Sequence, residues 1–238
     1  MQKIEKLLSF DLRGQFGHFK KFYSNVSSLS YEIPPRTVIA GMVASVLEIP
    51  RDEYYEILNP SRAKFSVSLK KPVRKWMACT NYKKRDGGTT QTRLELLLPE
   101  TEHIEYRIYS WLQDDSHFHE LTHRLKNNQL GFGLYFGQRP FRVDVINFQL
   151  YQPDQISHNQ SRKGQLHTIV PEENIISNDI DMGMNVTSSR MPISFKKIEN
   201  GREPEATGSF LYELNGNPIR GEFKNVYGVN NHYISFFT

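Results

Sequence analysis

Apolar residues alternate from Ile4 to Leu12 and stop at Arg13-Gly14, the period of two expected of a strand. A loop rich in Ser, Asn and aromatic residues runs from Gln15 to Ile33, and Pro34-Pro35 closes it. Pro35 suits the first turn of a helix. That helix is predicted to about Leu47, because Val38, Ile39, Met42, Val43, Val46 and Leu47 fall on one face. A short second helix is expected over Arg51 to Leu58, ending at Asn59-Pro60. Strand signals follow at Ala63 to Leu69 and Val73 to Tyr82, then an Asp86-Gly87-Gly88 turn, then strands at Thr92 to Leu98 and Glu102 to Leu112. Asp114-Asp115-Ser116 caps a helix to about Lys126, with Phe118, Leu121 and Leu125 on one side. Gly131 to Val145 reads as a glycine-punctuated strand. The remainder alternates turns with short β-like runs at Gln165 to Val170, Met191 to Lys196, Gly208 to Leu214 and Tyr227 to Phe237.

This order predicts a ferredoxin-like α+β unit over residues 1–150, with a hairpin inserted at about 70–112 and a β-rich extension over 151–238 packed on it. No internal repeat is visible. The 238 residues, 38 % hydrophobic and 24 % charged, are the composition of a globular chain. Cys79 is the single cysteine, so an internal disulfide and a thiolate zinc site both fall away. The longest near-apolar run, Val38 to Leu47, is half a bilayer span, and the N-terminus has too short an apolar stretch for a signal peptide. A soluble, cytoplasmic protein of a prokaryote with no membrane partner is expected.

Net charge is only +4, but it is clumped. Lys70, Lys71, Arg74, Lys75, Lys83, Lys84, Arg85 and Arg93 stand against one acid, Asp86, which makes this stretch +7 and leaves −3 for the rest. A cationic arm on a slightly acidic body favours a polyanion, nucleic acid first. A solvated hairpin without a ligand has the same pattern. Cations interleave with aromatics in two places. One set is Arg13, Phe16, His18, Phe19, Lys20, Lys21, Phe22 and Tyr23; the other is Arg74, Lys75, Trp76, Tyr82, Lys83, Lys84 and Arg85. Cations hold phosphates while aromatic planes stack on unpaired bases, a combination suited to single strands.

Two louder patterns carry less. His119-Glu120-Leu121-Thr122-His123 fits the H-E-x-x-H of zinc hydrolases. The apolar centre of that helix lies at Phe118, Leu121 and Leu125, which turns both histidines toward solvent, and Arg124-Leu125-Lys126 replaces the extended third-ligand signature. No metal or other cofactor is expected. Gly131-Phe-Gly-Leu-Tyr-Phe-Gly opens no helix and lacks Gly-Lys-Ser/Thr, so it is neither a dinucleotide fingerprint nor a P-loop. A bulged strand where something approaches the backbone closely is its expected meaning.

Phe10-Asp11-Leu12-Arg13-Gly14-Gln15-Phe16-Gly17-His18-Phe19-Lys20, the loop from Phe22 to Ser28, and Ser30-Tyr31-Glu32-Ile33-Pro34-Pro35-Arg36-Thr37-Val38-Ile39-Ala40-Gly41-Met42 together resemble the start of CRISPR-associated proteins of family five, most of all the subtype I-B branch. The detailed match covers about residues 8–58. The resemblance implies a ferredoxin-like, RAMP-type fold with a protruding hairpin thumb, in the Cascade surveillance complex. There such a subunit caps the 5′ handle of the crRNA and contacts the large subunit and the first backbone subunit; target DNA near the adjacent motif is a further implied partner. Arg13, His18, Lys20, Lys21 and Arg36 fall where strand end and helix start converge, and a helix N-terminus favours a phosphate.

One branch of that family processes guide RNA as a metal-independent ribonuclease using a Tyr, a Lys and a His. Its helix tyrosine falls at Leu47 here, and no adjacent Lys-His pair occurs in the chain. The expectation is therefore a non-catalytic RNA-binding subunit, with a metal-independent endoribonuclease acting on repeat RNA as the alternative.

Overall fold

The computed structural model describes residues 4–24, 28–176, 180, 185–199 and 201–238. Asn25, Val26 and Ser27 of the family-like loop lie outside them. The first half contains β1 (Leu7–Gly14), β2 (Phe19–Lys20), β3 (Ser30–Tyr31), α1 (Arg36–Val46), β4 (Ala63–Leu69), β5 (Val73–Lys83), β6 (Thr89–Pro99), β7 (Ile104–Leu112), α2 (Asp115–Lys126) and β8 (Val143–Tyr151). The second half is almost entirely strand: β9 (Ile156–Leu166), β10 (Val170–Pro171), β11 (Val186–Ile198), β12 (Gly201–Glu213), β13 (Ile219–Val229) and β14 (His232–Ile234). The architecture is a mixed α+β fold.

A four-stranded antiparallel sheet in the order β4-β7-β1-β8 forms the centre. Alternation along β1 sends Leu8, Phe10 and Leu12 to the side of the two helices, where they meet Ile39, Val43 and Leu121. Leu7 points the other way, to Tyr109, Trp111, Tyr151, Tyr227 and Phe236. Both faces are thus covered, which is why the polar residues between the apolar ones are buried too. Their groups are satisfied internally, as burial demands. Ser9 pairs with the Tyr151 hydroxyl at 3.0 Å, and Asp11 takes Arg107 at 2.6 and 2.8 Å and Asn147 at 2.9 Å.

The second half supplies cover to both sides. Met191, Ile193 and Phe210 of the β11–β12 hairpin join the helix-side core, while β13 and β14 close the far face. The edge strand β4 is also covered, by hydrogen bonds from Ile169 to Val67 and from Phe237 to Phe65, both 3.0 Å.

Three expectations need correction. Arg51 to Leu58 is a run of turns rather than a helix; Glu48 and Asp52 hold positive φ values of 58° and 70° that break helical continuity. Residues 131–142 are turns with one isolated bridge, Tyr135 to Arg142, and the strand begins only at Val143. The inserted hairpin is β5–β6 alone, since β7 is a central strand of the main sheet. α2 opens as expected, with the Asp114 carboxylate accepting from the His117 amide at 2.8 Å.

Candidate nucleic-acid interface

Among the described residues, a groove of about 910 Å³ lies above the half-buried face of α1. Its floor is Thr37, Val38, Gly41, Met42 and Ser45; its rims are β2 with Phe22, the loop at 132–138, the tip of β5 at Tyr82, and Pro192, Phe195, Arg202 and Pro204 of the β11–β12 hairpin. Phe132 and Tyr82 stand 60 % and 48 % exposed, a large apolar investment in water that a stacked partner would recover.

The glycines explain how one rim is made. Gly131 has φ +54°, and a Cβ there would lie 2.1 Å from the Ser45 carbonyl oxygen. Only glycine lets this loop lie flat on the end of α1, where Phe132 N donates to Ser45 O at 3.1 Å and Ser45 Oγ to Gly133 O at 2.7 Å. Gly137, at φ +84°, would place a Cβ 1.9 Å from His18 O. What approaches this backbone closely is the chain itself, and the result is a clamped loop that pushes Phe132 outward.

His18 bolts the other rim to the hairpin. The Glu95 carbonyl can only accept, so Nδ1 donates to it at 2.7 Å, and Nε2 accepts from Ser28 Oγ at 2.9 Å. Burial lowers its pKa below the usual histidine value, so the ring is neutral near pH 7. Lys20 is exposed at the groove edge. Lys21 lies over the Tyr31 ring at 5.4 Å.

On the hairpin, Arg74, Trp76, Tyr82, Lys83, Lys84, Arg85 and Arg93 are exposed. Cross-strand pairing puts Arg74, Trp76 and Tyr82 on one face and Lys75, Lys83 and Arg93 on the other. Lys75 is a strut: its ammonium lies 2.6 Å from Glu32 and 3.5 Å from Glu95. Burial alone would raise the Glu32 pKa, but hydrogen bonds from Lys75 and Tyr212 outweigh it and hold the carboxyl below its ordinary value. At the hairpin base, Lys71 reaches His103 at 2.9 Å and Arg13 reaches Glu105 at 3.5 Å. Lys70 lies outside the hairpin, lining a separate pocket on the far face of the sheet.

Arg36 is the clear correction among the expected phosphate ligands. It is 2 % exposed and spends its guanidinium on the carbonyls of Ile193, Leu58 and Ala63 at 3.0, 2.8 and 2.7 Å. Burial pulls its pKa down to about 9, which still leaves it charged at neutral pH. It ties the start of α1 to β11 and β4 and presents almost no surface to a phosphate.

Sequence reasoning brought only His18, Lys20 and Tyr82 among the cations and hairpin aromatics to this groove. It missed Tyr54, Tyr135, Phe195 and Arg202, which no local motif marks; the glycine spacing did mark the loop that carries Phe132 and Tyr135. Arg202 lies 4.8 Å over the Phe195 ring, giving the groove a stacked cation on its far wall. Burial raises the Tyr54 pKa, so that phenol stays uncharged. The His119 and His123 rings are exposed, and Glu120 is paired with Arg124 at 2.5 Å. Among the described residues no group of three or more His, Cys, Asp or Glu is placed to hold a metal, and no helix is long and apolar enough to cross a membrane.

No protein-family model and no curated protein matches the chain. Similar solved structures do exist. A CRISPR protein from Archaeoglobus fulgidus superposes with TM-score 0.59 at 11 % identity, covering 96 % of this chain and 98 % of that one. A chain of a CRISPR RNA-guided surveillance complex superposes with TM-score 0.50 at 13 % identity, covering 88 % and 91 %. At these identities the likeness is one of fold, and it runs nearly end to end: this chain folds as CRISPR-associated proteins of known structure do.

Proposed function

We propose that the chain is a non-catalytic, crRNA-binding subunit of a CRISPR surveillance complex, of the family-five, subtype I-B kind, and that the groove grips the 5′ handle. The observation that carries this reading is the groove itself. Outward-facing aromatics on opposed rims, with Lys20 and Arg202 at their sides, offer stacking platforms and phosphate partners to an unpaired strand. The cationic hairpin tip at Lys83, Lys84 and Arg85 extends the positive path beyond it. The connectivity supports a ferredoxin-like, RAMP-type reading: strand, helix, strand, strand, helix, strand, with the sheet in the order β8-β1-β7-β4. The backbone and large subunits, and target DNA near the adjacent motif, are the partners this role calls for.

A non-catalytic role is supported by the commitments of the groove's one histidine, since both His18 nitrogens already bond to the protein. A general base needs a free lone pair within reach of the proton it takes. The test is titration of labelled 5′-handle RNA with the purified chain in EDTA, alone and together with its co-purifying subunits. Saturable binding of intact RNA, weakened at least tenfold by Phe132→Ala combined with Tyr82→Ala, is the expected result. Site-specific cleavage would establish the endoribonuclease reading in its place, and binding indifferent to both substitutions would remove the groove from the RNA path.

A further inference from the structure

On the sheet face opposite the groove lies a second pocket, of about 120 Å³, between the central sheet and the β13–β14 cover. Ser68 comes from β4 and Lys70 from the residue just after it, Arg107 and Tyr109 from β7, His167 from the link after β9, and His232 from β14. We propose that this pocket is an oxyanion site that takes one tetrahedral phosphate group, as inorganic phosphate or as the phosphomonoester of a nucleotide. The proposal is independent of the groove and of what the groove binds.

The hydrogen-bond pattern makes the pocket a surface of donors. His167 Nδ1 lies 3.0 Å from the Tyr233 amide and 3.3 Å from the Tyr233 carbonyl, so the backbone holds Nδ1, and a ring protonated on both nitrogens donates to an anion from Nε2. Tyr109 stays protonated because burial raises its pKa, and its hydroxyl lies 3.0 Å from His232 Nδ1, so that ring too meets an anion with Nε2. Of the five N–H donors of Arg107, Asp11 takes one on Nε and one on Nη2 and Tyr109 takes another, which leaves others to donate. The Lys70 ammonium and the Ser68 hydroxyl complete the set. Carboxylates are absent from the lining, and the Asp11 carboxylate, 1 % exposed, is consumed by Arg107 and Asn147. A pocket rich in donors and poor in acceptors recognises an anion. Its volume is that of about four waters, enough for the four oxygens of phosphate.

The charges around the histidines point the same way. The two rings stack with centroids 4.9 Å apart. Burial first lowers both pKa values. At His167 the hydrogen bond to the Tyr233 backbone opposes this while Lys70 and Arg162 add to it; at His232 the charges of His167, Arg107 and Lys70 add to it and Asp11 opposes. The charges acting on the two rings are therefore mostly positive, with Asp11 the one anion among them and already held by Arg107. A bound dianion would supply that balance and raise both pKa values.

Histidine side-chain ¹H–¹⁵N spectra of the full chain, titrated with inorganic phosphate and separately with AMP, test this, with sodium chloride at matched ionic strength as control. Saturable shifts at His167 and His232, higher pKa values for both, and at least tenfold weaker binding in Lys70→Ala are expected. Saturation by both ligands identifies the phosphate group as what is recognised; saturation by phosphate alone assigns the site to the free ion, and by AMP alone to a nucleotide end. Phe132→Ala leaves these shifts unchanged, so failure of the groove reading and failure of this one are separable. Shifts that chloride reproduces, or binding that Lys70→Ala leaves intact, overturn the proposal.

Discussion

Two long hairpins stand on this molecule and are built on different plans. The β5–β6 hairpin carries exposed cations along most of its length and is held to the body through its lower half, by Leu94 and Leu97, Lys75, backbone bonds to Gly17 and Ser28, and His18. The β11–β12 hairpin lies down on α1, buries Met191, Ile193 and Phe210, and is tied by Arg36 and by the Tyr31 hydroxyl on the Arg190 carbonyl at 2.6 Å. The first presents charge and the second presents shape. Charge acts at a distance and is screened by salt, whereas a groove wall acts by contact and is not. An RNA that uses both should show two separable signatures.

The strongest way to break the comparison is to loosen the wall. Arg36→Met removes the donors for three buried carbonyls at once, and a buried acceptor left unpaired costs about 1–3 kcal/mol. A loss of about 3–5 kcal/mol in urea unfolding is expected, with groove binding lost and the β5–β6 hairpin unaffected. A loss below 1 kcal/mol would show that the tie does not hold the wall. Next in size is the double substitution Phe132→Ala and Tyr82→Ala. Each stacked base contributes about 1–3 kcal/mol, so handle affinity should fall five- to 150-fold per base. Both side chains are solvent-exposed, so thermal stability should barely change, and the slope of log affinity against log salt should stay constant.

Neutralising Lys83, Lys84 and Arg85 gives the complementary result. Each lost single-strand phosphate contact lowers the magnitude of that slope by roughly 0.7, while affinity at high salt changes little. A triple variant with the parent slope would take the hairpin tip off the RNA.

The same contrast explains what could be read from the chain. Local periodicity found β1, α1, α2 and the strands of the cationic hairpin because each is written in consecutive residues. The charge of the arm was visible as a simple clump. Arg36 looked like a helix-start phosphate ligand because its three acceptors, at residues 58, 63 and 193, are distant in sequence. The turn-rich stretch at 51–58 carries helix-like spacing, yet two positive-φ residues redirect it so that Tyr54 and Leu58 join the core. The glycines at 131 and 137 were recognised as points of close approach, but their partners, the carbonyls of Ser45 and His18, emerge only from the packing. The far wall with Phe195 and Arg202 had no local signature at all.

The smallest expected effect bears on the joint between the two plans, His18. Its pKa is lowered in the folded state, chiefly by burial, so between that value and the unfolded value near 6.5 the unfolded chain binds more protons. Stability then rises with pH across this window, is fully present above about 6.5, and is lost as pH falls through the folded pKa. One such group changes stability by at most about 1.4 kcal/mol per pH unit. His167 and His232 shift in the same direction, so the total slope is shared. His18→Gln isolates one share: an amide can still donate to the Glu95 carbonyl and accept from Ser28 but cannot titrate. Urea unfolding at pH 7.5 and 5.5 should show a smaller acid loss in the variant than in the parent. An equal loss would mean that His18 does not resist protonation, and that the hairpin base is not held by a neutral ring.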